Sequence, residues 1–368
     1  MPTVALDTTP LLGQRTGIGV AVAGFVQHLA GRPGLDLVGY GLTARGWRSV
    51  AANLPPGFRC RPRPAPAGLL LDAWSRWDWP PAEWWAGPAD LVHGTNFVVP
   101  PARRARRLVS VWDLTAVHRP ELCTPVSRRY PHLVARAVAG GAWVHTGSHH
   151  VAAEIAGHFG ADPARILVVP PGVEVPAGAA GRPGPGGGGP PYVLALGRTE
   201  PRKDLPTLVR GFDLVAEAHP DLELRIAGPP GWAEEGVAAA ISASPFAGRI
   251  RRMGWVDDAP SLIAGAAVFA YPSVYEGFGL PPLEAMALGV PVVATSVGSV
   301  PEIVGDAAEL VAPGDPQALA GGLDRVLADA DRRQRLVRAG YARAGQFSWP
   351  AAAEGMARAY LEVLSGGA

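Results

Sequence analysis

Lysine is almost missing from this 368-residue chain: of 33 basic residues, 32 are arginine and one, Lys203, is lysine. Excess charge is missing too, because 32 Asp+Glu leave a formal net charge of only +1. A nucleic-acid binder normally carries a basic surplus, so the balance argues against one. Cysteine is scarce. Cys60 and Cys123 cannot build a metal cluster or a disulfide framework; one bridge stays open, and buried free thiols in a reducing compartment are the expectation. No window offers the roughly eighteen uninterrupted apolar residues of a membrane span. The amino terminus, MPTVALD, lacks the basic and long apolar regions of a signal peptide. A soluble, cytoplasmic protein is expected.

What the chain does have is apolar content (48%) and 47 glycines with 39 prolines. The first excludes disorder, and the length predicts two domains. Short apolar runs alternate with longer helical patterns. Strands are predicted near Val4–Asp7, Leu35–Tyr40, Leu91–His93, Leu108–Val111, Trp143–Thr146 and Ile166–Val169, with helices at Val20–Ala30, Ser127–Ala139 and His149–Phe159. The runs are continuous instead of alternating, as in parallel strands covered on both faces. Residues 176–191, PAGAAGRPGPGGGGPP, are twelve-sixteenths Gly or Pro and read as a linker. The alternation then restarts, ending in a helix at Trp349–Leu364. The reading is α/β, with two doubly wound domains at 1–175 and 192–348, a linker at 176–191 and a terminal helix at 349–368. A cleft between the domains is expected, with ligands at the carboxyl ends of the strands.

Three loops could carry chemistry. Gly197-Arg198-Thr199-Glu200-Pro201-Arg202-Lys203-Asp204-Leu205 leaves a strand and opens a helix. Free amides, the helix dipole and three cations suit a diphosphate there; the plainer alternative is a solvated basic turn with Asp204 as a cap. That the sole lysine falls in this loop favours the first, since a compact ammonium and a planar guanidinium differ at a tight phosphate site. The second loop runs from Pro272 to Met286. Gly277 and Gly279 permit a tight turn, and Glu276 and Glu284, eight apart, could bracket one elongated ligand through its hydroxyls. The alternative is a loop carboxylate and a first-turn dipole partner. The third, Thr16-Gly17-Ile18-Gly19, lacks the last glycine of the dinucleotide fingerprint, where Val22 stands, which disfavours an oxidoreductase.

Weaker signals follow. Asp113 ends a strand, where an active-site group or a turn cap is equally expected. His93, His118, His145, His149 and His150 lack a metal-binding spacing supported by carboxylates, and no metal site is read. Asp329 and Asp331 read as caps. Trp74, Trp77, Trp79, Trp84 and Trp85 read as a packed subdomain, with an acceptor platform or a membrane contact as alternatives. Arg103, Arg104, Arg106 and Arg107 read as a solvated edge or an anionic-lipid contact.

The segment EGFGLPPLEAMALGVPVVAT, with its E-x7-E spacing from Glu276 to Glu284, resembles the retaining glycosyltransferases of family 4, which have the GT-B fold. GRTEPRKDL resembles their phosphate loop, and the resemblance spans 192–349. TGIGVAVAGF, DLVHGTNFVVPP, SVWDLTAVHRPE and ILVVPPGVE resemble amino-half segments of the same family, especially its mannosyltransferase-like members. The resemblance implies two Rossmann-like domains facing across a cleft, with the C-terminal helix returning to the first. It further implies that Arg198 and Lys203 hold the donor diphosphate, with Arg202 supporting the loop. Glu276 would bond the donor sugar, Gly277, Phe278, Gly279 and Leu280 would touch sugar and phosphate, and Glu284 would hold the ribose. Gly17 and Gly19 would approach the phosphate, and Trp255 and Val256 would line the base pocket. Trp112 stands where the family has a histidine before Asp113, and Pro171 where it has an asparagine.

The implied reaction is transfer of a hexose, mannose favoured, from a nucleoside-diphosphate sugar (GDP-mannose favoured) to an acceptor hydroxyl with retention. No cofactor or essential metal is expected. The acceptor would be a sugar, a lipid-linked molecule or a small molecule, with peripheral contact at the inner membrane face an added expectation. The alternatives are a UDP- or dTDP-sugar transferase on a small molecule, a nucleotide-sugar 2-epimerase, or a non-catalytic nucleotide-sugar-binding protein.

Overall fold

A computed structural model of the chain describes residues 1–174 and 189–366, so most of the linker expected at 176–191 lies outside the described residues. Two compact units divide it: Met1–Gly172 with Trp349–Ala368, and Val173–Ser348.

Unit 1 runs β1 (Thr3–Asp7), α1 (Gly17–Leu29), β2 (Asp36–Tyr40), β3 (Arg59–Cys60), α2 (Ala67–Trp74), α3 (Glu83–Ala86), β4 (Leu91–Gly94), β5 (Arg106–Ser110), α4 (Thr115–His118), α5 (Tyr130–Ala139), β6 (Trp143–Thr146), α6 (His149–Phe159) and β7 (Ile166–Val168). Its seven strands order 3-2-1-4-5-6-7. Unit 2 runs β8 (Tyr192–Leu196), α7 (Leu205–Ala216), β9 (Glu223–Ala227), α8 (Glu234–Ala243), β10 (Ile250–Gly254), α9 (Ala259–Ala264), β11 (Val268–Tyr271), α10 (Leu280–Ala287), β12 (Val292–Thr295), α11 (Val300–Val304), β13 (Ala308–Val311), α12 (Pro316–Ala328) and α13 (Ala330–Ala344). Its strands order 10-9-8-11-12-13. Every strand pairing between the named strands is parallel. Strands such as β11 and β12 are buried at all four positions, which is why their sequences carry no polar face.

The last helix, α14 (Trp349–Ser365), packs on α1, β4 and β5 in unit 1. Gly24 makes this possible: a Cβ there would lie 2.1 Å from the Trp349 ring. Deeper in, Tyr360 Oη lies 2.9 Å from His93 Nδ1, and a chain of 2.8 Å bonds continues through Ser110 Oγ to His145. Burial lowers both imidazoles, His145 to about 4, so the chain is neutral at pH 7.

Some elements were not legible. β3 has two residues and α11 five, too short for a period to register. α8 buries Val237 fully and only partly covers Ala240 and Ile241, so its apolar stripe is short. The helix expected over Ser127–Ala139 opens as a 3₁₀ turn at Ser127–Arg129, with Pro131 in the first turn of α5. Cys60 and Cys123 form no disulfide among the described residues and are only half-buried, which corrects the expectation of buried thiols.

Candidate functional site

In an open α/β sheet a ligand crevice forms where the strand order reverses. In unit 2 that point lies between β8 and β11, whose chain continues to opposite sides of the sheet. The loop after β8 carries Arg198, Arg202 and Lys203; the loop after β11 carries Ser273 and Glu276. Glycine sets the geometry of the first loop. Gly197 (φ +148°) and Gly228 (φ +129°) both sit where L side chains rarely go, and a Cβ on Gly228 would fall 2.0 Å from the Gly197 carbonyl oxygen. Arg198 is half-buried and donates from Nη1 to the Pro230 carbonyl at 3.1 Å. Asp204 occupies the position before α7 with a left-handed backbone (φ +42°).

Glu276 joins the two loops. It is 6% exposed, and Lys203 is 8% exposed. Lys203 Nζ donates to Glu276 Oε1 at 2.7 Å and to Tyr271 Oη at 3.0 Å, while Ser273 Oγ donates to Oε1 at 2.7 Å. Arg202 Nη1 pairs with Glu276 Oε2 at 2.5 Å, and Arg202 Nε donates to Glu200 at 2.9 Å. Burial alone would raise the Glu276 carboxyl; the charges of Arg202 and Lys203 and the bonds from Lys203 and Ser273 overcome it and hold it at about 2. Burial lowers the Lys203 ammonium, with Glu276 opposing. An ammonium has three protons. Two are spent within the protein, leaving one donor for a ligand.

Glu284, on α10, contrasts with Glu276. Its carboxylate has no hydrogen bond or ion pair with the described residues, and burial pushes it up to about 7. Gly279 (φ +108°) precedes α10, and the amides of Phe278 and Gly279 donate to no acceptor among the described residues. This helix start therefore offers free donors, the arrangement that favours an anion. Phe278 and Leu280 are buried, and the Phe278 ring stands edge to face against Phe347.

Behind the loop lies a support that sequence reasoning missed. Ser299 donates from both N and Oγ to the Glu276 carbonyl, at 3.0 and 3.2 Å, and Thr295 Oγ1 donates to the Ser273 carbonyl at 2.5 Å. Gly298 (φ +51°) must be glycine, because a Cβ would lie 2.2 Å from the Glu276 oxygen. The small-residue run Thr295-Ser296-Val297-Gly298-Ser299 was the available signal. Trp255 and Val256 follow β10, at the sheet edge; Trp255 is exposed and its Nε1 donates to Asp257 at 2.9 Å. They stand beyond β9 from the residues after β8.

The other expected residues belong to unit 1. Gly17 (φ +25°) starts α1, and a Cβ on Gly19 would meet the Pro10 carbonyl at 2.8 Å. Asp113 accepts the Thr115 amide at 2.9 Å, a local turn cap. Trp112 is buried, donating to the Thr95 carbonyl at 2.8 Å and standing edge to face against His145. Asp329 likewise caps its helix through the Arg332 amide. Among the described residues no three His, Cys, Asp or Glu side chains cluster as metal ligands, and no helix is long and apolar enough to cross a membrane.

Comparison with known proteins points the same way. Residues 190–329 match the family described as glycosyl transferases group 1. The O-antigen chain mannosyltransferase B of Escherichia coli is 40% identical over 161 residues, 43% of this chain and 42% of that one. A D-inositol 3-phosphate glycosyltransferase of Nocardia farcinica is 30% identical over 300 residues, 76% of this chain and 65% of that one. Matches to the first curated relatives thus span about half of their length. Among solved structures, WaaG, a glycosyltransferase involved in lipopolysaccharide biosynthesis, superposes with TM-score 0.73 at 16% identity, covering 99% of this chain and 100% of that one. HepE of Anabaena, solved with UDP, superposes with TM-score 0.71 at 20% identity, covering 98% and 100%.

Proposed function

From the premise that residues 190–329 belong to the group 1 glycosyl transferases and that the fold is GT-B, we propose that this chain transfers a hexose from a nucleoside-diphosphate sugar to an acceptor hydroxyl. The observation that carries the reading is the pair of carboxylates on one loop and helix. Glu276 is saturated by Lys203, Arg202 and Ser273, while Glu284 is left without a partner. A nucleoside diphosphate supplies what each end lacks: ribose hydroxyls for Glu284, and phosphate oxygens for Arg198, the third proton of Lys203 and the Phe278 and Gly279 amides.

Departure of the diphosphate concentrates negative charge on the leaving oxygen. Fixed cations and amides stabilise that charge without reorganising. Arg202 enters this scheme through Glu276, which it holds ionised and in place, and Gly277 and Leu280 shape the backbone around the sugar. Both Glu276 oxygens are engaged, which supports attack by the acceptor from the leaving-group face, with retention, over a covalent carboxylate intermediate. Val256, Gly17, Gly19 and Asp113 remain donor-side assignments of the same proposal. Transfer without an essential metal belongs to it too, and an unchanged rate in chelator is its test.

Mannose from GDP-mannose is the favoured donor, supported by the mannosyltransferase relative. A second reading, a UDP-sugar, is favoured by the neighbours solved with UDP and UDP-glucose. Calorimetry with GDP-mannose and UDP-glucose separates the two, and Lys203→Ala should weaken binding of the true donor at least about tenfold. Absence of binding to any nucleotide sugar, or an unchanged affinity in Lys203→Ala, would remove the assignment.

A further inference from the structure

The tryptophan stretch, unused by the proposed chemistry, has two layers. Trp74 and Trp85 are buried, meet edge to face at 6.1 Å, and donate their indole N–H groups to the carbonyls of Pro80 (2.9 Å) and Pro64 (3.2 Å). Trp77, Trp79 and Trp84 are 61%, 54% and 45% exposed. Their indole N–H groups donate to no acceptor among the described residues. Trp79 and Trp84 meet edge to face at 5.0 Å, and Trp84 leans on Trp85 at 6.3 Å, so the outer rings are mounted on the inner pair. Scattered apolar side chains on a surface need no explanation, but grouped ones do. Three of the five exposed tryptophans fall within eight residues. The sequence expectation of a packed subdomain therefore describes only the inner layer.

Arginine surrounds this group. Residues 59–107 hold eight arginines against four carboxylates. Each carboxylate has a partner: Asp72 pairs with Arg129, Asp78 with Arg136, Glu83 accepts the Arg103 and Arg104 amides through Oε1 alone, and Asp90 accepts the Thr3 amide. Arg61, Arg63, Arg76, Arg103 and Arg104 are exposed and in no ion pair with the described residues. Four of them adjoin α3. Arg63 Nη1 donates to the Trp84 carbonyl at 2.9 Å, the amides of Arg103 and Arg104 are anchored on Glu83, and the Arg61 guanidinium lies against Gly87. Arg76 precedes Trp77 directly.

An indole with a free N–H prefers the boundary where its ring is apolar-facing and its nitrogen wet, and unpaired arginines beside it seek anions. A second copy of this chain would bring five unpaired cations against five more. A neutral sugar would stack on the rings but leave the arginines unanswered. We propose that this face of unit 1 docks on a bilayer carrying anionic phospholipid headgroups, with Trp79 and Trp84 seated at headgroup depth. The inference does not depend on the nucleotide-sugar reading.

Flotation of the full chain on vesicles tests it, comparing pure phosphatidylcholine with phosphatidylcholine containing phosphatidylglycerol. Binding should require phosphatidylglycerol and be released by high salt. Arg103→Gln with Arg104→Gln should weaken it roughly 25-fold, about fivefold for each arginine. Trp79→Ser with Trp84→Ser should abolish quenching of tryptophan fluorescence by brominated lipid. Nucleotide-sugar calorimetry on the same variants, expected unchanged, shows that they fold and keeps the two readings apart. No flotation on anionic vesicles, equal partitioning of the variants, or a dimer in sedimentation that the tryptophan variant dissociates would each overturn the proposal.

Discussion

Replacing Glu276 by glutamine asks the structure the sharpest question about how its site is held. The amide keeps the volume and the Ser273 bond but removes the charge that faces both Lys203 and Arg202, each within 2.7 Å of the carboxylate, and leaves Arg202 its pairing with Glu200. Removing one partner of a buried pair costs about 3–5 kcal/mol, because the remaining charge is left without compensation. The carboxyl itself gives a second figure: held at about 2 against an ordinary 4.5, its ionised form is favoured by about 3 kcal/mol in the folded state. The two agree, so urea unfolding at pH 7 should show Glu276→Gln destabilised by about 3 kcal/mol. The sign in pH is fixed as well. A depressed carboxyl stabilises fully above its unfolded value near 4.5, and the advantage disappears as pH falls through about 2. The wild-type margin over Glu276→Gln should therefore hold from pH 7 to 5 and shrink below 4. A Glu276→Gln protein within about 1 kcal/mol of wild type at pH 7 would show that the Glu276 charge does not hold this loop.

Three other outcomes follow from the same geometry. Glu284, raised to about 7, accepts ribose hydroxyls best when ionised, so nucleotide-sugar affinity should fall roughly tenfold from pH 8 to 6; calorimetry on Glu284→Gln should show a flat profile, and a slope retained there would contradict the assignment. Gly298→Ala, with its Cβ driven into the Glu276 carbonyl, should cost about 2 kcal/mol or more in urea unfolding, and a loss under about 0.5 would show that the turn adapts freely. Asp7 is buried, and desolvation raises its carboxyl from 3.8 to about 6 despite the bonds from Thr9. A raised carboxyl loses stability as pH climbs from 3.8 through 6, so Asp7→Asn should stabilise at pH 8 by up to about 3 kcal/mol and by little at pH 4; equal effects at both pH values would exclude an ionised Asp7.

The carboxyl ends of β8 and β11 were legible because glycine, proline and charge gather there: Gly197, Arg198, Lys203, Glu276 and Gly279 all announce themselves in one dimension. The strands were legible for a related reason, since burial on both faces leaves unbroken apolar runs such as Val268–Tyr271. What could not be read is what folding brings from afar. Ser299 and Thr295 are ordinary small polar residues until the turn at Gly298 places them under the Glu276 loop, some twenty residues upstream. Arg202 was expected only to support its loop, and its direct pairing with Glu276 depends on the neighbouring strand end. In the tryptophan stretch, composition alone could not sort rings whose N–H finds a carbonyl, Trp74 and Trp85, from rings left outside.

Glycosyl transfer itself is tested by incubating the chain with GDP-mannose and UDP-glucose, with and without an acceptor panel of sugars, inositol phosphate and lipid-linked oligosaccharide. Free nucleoside diphosphate should appear together with an acceptor product, its glycosidic bond keeping the donor's anomeric configuration by NMR, and Lys203→Ala should suppress both. No nucleoside diphosphate release from any donor and acceptor pair, or release that Lys203→Ala leaves untouched, would contradict it.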